Sequence, residues 1–185
     1  MSGSKPRDIL LETASRLFYR DGINAVGVDR ILTEAGVTRA TLYRHFAGKE
    51  ALVVAYLERE DQLMRSRFSA TASRAVSPEH ALELAIEGIA NDAYQRHTRG
   101  CPFIKAASEF PDPSSPVRQL ITGHRGWFHD DLRQMLTAAG RDDVEAKVAR
   151  LSMMRDALLV AAFLDDPEVA RQTFVRSARE VAGLP

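Results

Sequence analysis

The 185 residues are 45% hydrophobic and 27% charged, with 25 Lys plus Arg against 25 Asp plus Glu, a composition that fills a core for one or two domains and excludes a disordered chain. A net charge of zero excludes a protein that coats nucleic acid by bulk electrostatics, so DNA affinity has to come from a local patch. The single cysteine, Cys101, excludes an intramolecular disulfide and a cysteine zinc cluster and reads as a small buried or capping thiol in a reducing compartment.

Helical signals then follow one another along the whole chain. Pro6 suits the first turn of a helix in which Ile9, Leu10, Ala14, Leu17 and Phe18 repeat at spacings of three and four, and Asp21-Gly22 ends it. Ile31, Leu32 and Ala35 lie on one side of a second helix, which Gly36 closes by supplying a left-handed backbone. Thr38 is placed to cap a third helix by accepting from an N–H near Thr41, with Leu42 and Phe46 as its inner face. Its outward face is Arg39, Ala40, Tyr43 and Arg44. Two short helices joined by a glycine turn, the second slim and cationic, read as a helix-turn-helix DNA reader. The local patch exists: between Gly36 and Lys49 stand Arg39, Arg44, His45 and Lys49 with no acid, whereas residues 71–185 hold 14 Lys plus Arg against 16 Asp plus Glu.

Lys49 opens a longer helix to about Arg67, a natural lever between the reader and everything downstream. Ser77-Pro78-Glu79 is a cap with a first-turn proline, starting a helix towards His97 that Gly100 stops. A short helix follows from Pro102 to Phe110, and three prolines between Pro111 and Pro116 break it off. Pro116 begins a helix to about Ala139. Asp142 or Asp143 is expected to cap the next, which runs to Leu164, and Pro167 starts the last, which ends before Gly183. The fold class predicted is all-α with about nine helices, divided into a helix-turn-helix domain at 1–50 and a helical ligand-binding and dimerisation domain at 51–185.

The stretch Leu151 to Leu164 is apolar around nearly its whole circumference, so it has to be covered on more than one side. A second copy is the simplest cover. With the stripe Ala170, Phe174, Ala178 and Val181 on the last helix, this predicts a four-helix homodimer interface. The longest apolar run, Ala157 to Leu164, is too short to span a bilayer, and the N-terminal residues carry no apolar signal core. A cytoplasmic protein without a membrane partner is expected.

The motifs Ala35-Gly36-Val37-Thr38, Thr41-Leu42-Tyr43-Arg44-His45-Phe46 and Lys49-Glu50-Ala51-Leu52 resemble the TetR family of transcriptional regulators over roughly residues 6–58. Gly100-Cys-Pro-Phe103 with Ala107-Ser-Glu-Phe-Pro-Asp112 looks like a pattern of one branch of that family. The resemblance implies a dimeric regulator that binds a palindromic double-stranded operator and is released by a small effector. Thr38, Arg39, Thr41, Tyr43 and His45 would serve the groove and its flanking phosphates, Lys49 would clamp a phosphate, and Lys5 or Arg7 would add backbone contacts. Where the family usually opens the second helix with a Thr hydroxyl, this chain has Gly27-Val28, which puts one phosphate contact in doubt.

An effector pocket is expected between the helices starting near Ser77, Pro102, Pro116 and Asp143, lined by Phe103, Phe110, Trp127, Phe128 and Met154. Asp156, an acid inside the apolar helix, needs a partner there, either His124 or a nearby Arg. So few inward polar groups predict a mainly apolar ligand. His97, His124 and His129 lack the spacing of metal ligands, and no cofactor is called for. No nucleophile and base pair or phosphate loop points to an enzyme. An effector-independent accessory DNA-binding protein is the alternative, sharing the reader but lacking a cavity.

Overall fold

The computed structural model describes residues 5–185. Among them run nine helices and no strand: α1 (Pro6–Asp21), α2 (Val28–Ala35), α3 (Arg39–His45), α4 (Lys49–Ala72), α5 (Pro78–Gln95), α6 (Pro102–Glu109), α7 (Pro116–Ala138), α8 (Val144–Leu164) and α9 (Pro167–Ala182). The all-α reading holds, and most helix ends fall at the residues that signal them. Gly36 takes φ 65 and its N–H donates to the carbonyls of Leu32 and Thr33, closing α2 in a conformation that a Cβ would strain. Ser77 accepts from the N–H of His80, and Asp166 accepts from those of Glu168 and Val169.

Two ends differ from expectation. α4 runs on to Ala72 because no Gly or Pro interrupts residues 68–72. Asp143 stands at the N-cap of α8, but at φ 46 its side chain makes no capping bond, while the Asp142 carboxylate is engaged by Lys147. A left-handed backbone carries the carboxylate away from the first-turn N–H groups it would otherwise accept from.

The described residues form two compact units. One comprises residues up to Gln62 together with Pro102–Thr122, and the other comprises Leu63–Cys101 with Gly123–Pro185. Of the three points where the chain passes between them, two fall inside helices, within α4 and within α7, and the third lies just before Pro102 at the start of α6.

In the first unit α1 packs on α2 and α3, with Leu10, Leu17, Phe18, Ile31 and Leu42 fully buried. Burial of each such side chain contributes about 1.5–3 kcal/mol. Arg16 pairs with Glu34 at 2.8 Å and Arg30 with Asp21 at 2.6 Å, tying α1 to α2 on the outside. In the second unit α5, α8 and α9 pack on one another around Leu82, Ala85, Leu151, Leu158, Phe174 and Ala178. The stripe of α9 expected to face a partner is therefore consumed inside the protomer. What remains uncovered is the opposite face of α8: Met153 is 64% exposed and Leu164 68%, with Ala157, Val160 and Phe163 exposed between them.

Candidate nucleic-acid interface and interior cavity

Helix α3 is seven residues long, and its sequence decides which side faces out. Leu42 and Phe46 are buried, and the side chains left outside are Arg39, Ala40, Tyr43, Arg44 and His45. Thr38 is the cap: its Oγ1 accepts from the Thr41 N–H at 3.2 Å and shares a 2.9 Å hydrogen bond with Thr41 Oγ1. Tyr43 stands 53% exposed at the centre of the face. Such a surface, with two cations, a phenol and an imidazole on a narrow helix, has the shape and donors that enter a major groove.

The flanks are less free than the sequence implies. Arg39 is ion-paired with Asp29 on α2, an acid ten residues away in sequence and so invisible in the acid-free run from Gly36 to Lys49. Lys49 is half-buried, with its Nζ 3.5 Å from the carbonyl oxygen of Asn24. Burial lowers its pKa below the ordinary lysine value, against the raising influence of the Glu109 carboxylate. The Arg7 guanidinium lies over the Phe46 ring, 5.2 Å from its centroid, and Lys5 is exposed. α2 starts at Gly27 with extended backbone and no side-chain cap, so the hydroxyl absent from the sequence has no substitute at that helix end.

The loop between α1 and α2 is held from a distant part of the chain. Glu109, at the end of α6, accepts from the backbone N–H of Ile23 at 2.9 Å and of Asn24 at 2.5 Å. One turn earlier on α6, Lys105 donates to the Tyr19 carbonyl at 2.6 Å.

The second unit contains a cavity of about 420 Å³ between α4, α5 and α8. Its floor is buried and mostly apolar, formed by Met64, Ala85, Ile89 and Leu159 with Phe68 beside them. Four arginines also line it, Arg67, Arg74, Arg96 and Arg155, against a single carboxylate, Asp92. Arg67 reaches Asp92 at 2.9 Å, Arg96 at 3.5 Å, and His97 Nδ1 lies 2.7 Å from its other oxygen. Burial alone would raise the Asp92 pKa; the hydrogen bond from His97 and the positive charges around it outweigh that and hold it below the ordinary value.

None of the seven residues proposed from sequence as effector lining borders this cavity. Phe103 and Phe110 belong to the first unit. His124, Trp127, Phe128, Met154 and Asp156 belong to the second, where His124 and Phe128 are buried and their rings gather around Trp127 at 5.9 and 6.4 Å between centroids. Asp156 is partnered by arginines, with Arg125 at 2.8 Å and Arg155 at 3.4 Å. Cys101 is buried and free.

The family model for bacterial regulatory proteins of the tetR family matches residues 10–56. SCO4454, a TetR-family transcriptional regulator from Streptomyces coelicolor, is 39% identical with a TM-score of 0.92, over 96% of this chain and 94% of that one. This chain belongs to the TetR family of transcriptional regulators. The regulator is also 35% identical over 79 residues to Rv1255c, an uncharacterised HTH-type transcriptional regulator of Mycobacterium tuberculosis; the match spans 43% of this chain and 39% of that protein's length. A transcriptional regulator from Saccharomonospora viridis, crystallised in complex with choline, shares its fold at TM-score 0.79 and 21% identity, over 94% of this chain and 95% of that one. Membership makes the regulator a DNA-binding helix-turn-helix protein and not an enzyme. No helix among the described residues is long and apolar enough to cross a membrane.

Sequence reasoning missed four residues of consequence in the regulator. Asp29 and Glu109 act across long sequence separations that no local pattern encodes. Phe68 and Arg155 were open to notice, since Arg155 is a second charge beside Asp156 inside an otherwise apolar helix.

Proposed function

We propose that the regulator binds a palindromic double-stranded operator as a homodimer, represses from it, and is released when a small effector enters the second unit. The outward face of α3, cationic around the exposed Tyr43, carries this reading. Thr38, Arg39, Thr41, Tyr43 and His45 contact bases and flanking phosphates, and Lys49 contacts a phosphate once it turns from Asn24. DNA reading falls to residues 1–50 and effector binding with dimerisation to 51–185. The exposed apolar face of α8 supports a two-fold interface, because a second copy covers it with the same residues.

The cavity supports regulation by a small molecule, since its size lies in the range that holds one. The effector stabilises a state in which the two readers are wrongly spaced for successive major grooves, and release follows from its higher affinity for that state. The protein works where the chromosome is, in the cytoplasm. Selecting genomic fragments with the purified full chain, then titrating the recovered sequence and a scrambled control by fluorescence anisotropy, tests the reading. Equal affinity for the two sequences would reject it.

A further inference from the structure

We infer that the α4/α5/α8 cavity takes an amphipathic carboxylate, its head group paired with Arg155 and its apolar body against Phe68, Ile89 and Leu159. Arg155 is only 4% exposed, yet its counterions are poor. The nearest carboxylate oxygen, on Asp156, is 3.4 Å away, and the other oxygen of that carboxylate already accepts from Arg125 at 2.8 Å. The remaining contacts of the guanidinium are soft: the Met64 thioether at 3.8 Å and the face of Phe128 at 4.9 Å from its centroid. A guanidinium has five N–H donors in a planar fork, and a buried ion with so few acceptors carries an uncompensated desolvation penalty.

The rest of the lining does not supply the missing anion. Asp92 is the single acid there, and it already faces Arg67, Arg96 and His97. Exposed Arg74 at the rim adds positive charge, so the cavity as a whole favours an anion over a neutral or cationic guest. A carboxylate matches one planar fork in charge and in geometry, accepting two parallel hydrogen bonds. The apolar floor then demands a hydrocarbon body behind the head group, which a bare inorganic anion lacks. The expectation of a mainly apolar effector is thus kept for the body of the ligand and changed for its head.

The proposal rests on the cavity being the effector site, and its test separates the two ideas. Trp127 is the only tryptophan of the chain and packs edge-on against Phe68 at 5.5 Å, so its fluorescence reports a guest on that ring. Octanoate, 1-octanol and octylammonium, equal in chain length and different in head-group charge, are titrated into the full chain by fluorescence and calorimetry. Octanoate should bind saturably and at least about tenfold more tightly than the other two, because a hydrogen-bonded charge pair is worth that much or more. Arg155→Met keeps the volume, removes the charge, and should weaken octanoate about tenfold to a hundredfold while leaving octanol within about twofold. Octanol or octylammonium binding as well as octanoate in the unmodified protein would overturn the assignment without any variant. Unchanged octanoate affinity in Arg155→Met would overturn it as well. Octanoate that binds through Arg155 but leaves operator affinity unaltered would sustain the ligand class and reject the effector-site reading.

Discussion

Glu109 holds the backbone of Asn24. Its two carboxylate oxygens accept separately from the N–H groups of Ile23 and Asn24, at 2.9 and 2.5 Å, so the end of α6 fixes the loop that leads from α1 into the helix-turn-helix. Backbone N–H groups in that loop have no helix to satisfy them, and one side chain eighty-odd positions downstream does so for both. Lys49 completes the arrangement by reaching the Asn24 carbonyl.

Replacing Glu109 with Ala should therefore destabilise the protein by about 1–2 kcal/mol, the scale of hydrogen bonds to a half-buried charged acceptor. Hydrogen exchange at the Ile23 and Asn24 amides should accelerate together. Operator affinity should fall too, since α2 would enter the motif from a loosened loop. Unchanged exchange at both amides would show that the clamp contributes nothing.

Tyr43→Ala and Lys49→Ala should weaken operator binding in different ways. Under the proposed function Lys49 acts through phosphate, so its loss should lower affinity for all sequences and reduce the slope of log affinity against log salt by about one. On the same reading Tyr43, at the centre of the exposed face, is placed to reach a base edge or thymine methyl, so its loss should alter sequence preference. Titrations at several salt concentrations, on the operator and on point-substituted versions of it, distinguish the two patterns.

Charge placed on the uncovered face of α8 should separate the subunits without unfolding them. Val160→Glu puts a carboxylate where the protomer leaves the side chain in water, so sedimentation should report folded monomers with unchanged helical circular dichroism. Phe174→Glu makes the opposite case. Phe174 is buried between helices of its own unit, so that variant should lose folded structure before any question of association arises, at a cost of about 3 kcal/mol or more. Operator affinity of Val160→Glu should drop with dimerisation, because each half-site is then bound independently.

Asp92→Asn tests the charge cluster at the cavity. The Asp92 pKa is held below its ordinary 3.8 in the folded protein, so the carboxylate contributes stability that is fully present above the unfolded value and lost as pH falls through the folded one. The variant should be less stable than the parent by about 1–3 kcal/mol near neutrality. That difference should shrink as urea unfolding is repeated below about pH 4. With the single cavity acid neutralised, octanoate should bind more tightly than to the parent.

How much of this was legible before folding depended on the range of the signal. The turn at Gly36, the Thr38 cap, the buried pair Leu42 and Phe46 and the proline-led starts of α5, α6, α7 and α9 are each written within a few residues, because caps, turns and helical periodicity are local. The Asp143 cap was misjudged for the complementary reason: residue type was right for a cap, and the backbone angle that decides whether the side chain reaches was set by the chain around it.

By itself, then, the sequence determined an all-helical chain, a cationic outward face on α3 and an apolar excess on α8, since each is a pattern of residue types at helical spacing along one segment. Which apolar stripe stays inside the protomer and which is left uncovered was decided only by packing, and it moved Phe174 from the expected interface into the core while leaving the outer face of α8 uncovered, as its all-round apolar pattern implied. The cavity was decided there as well. Trp127, Phe128 and Met154 are the residue types that line pockets, but the same types fill cores, and nothing local distinguishes the two. The space opened instead where α4 outran its expected end and carried Phe68 and Thr71 alongside α5 and α8, with Arg74 just past the helix. Charge neutrality is likewise a property of the whole chain, whereas the deficit of acceptors around Arg155 exists only where three helices enclose one guanidinium and leave Asp92 and Asp156 already engaged.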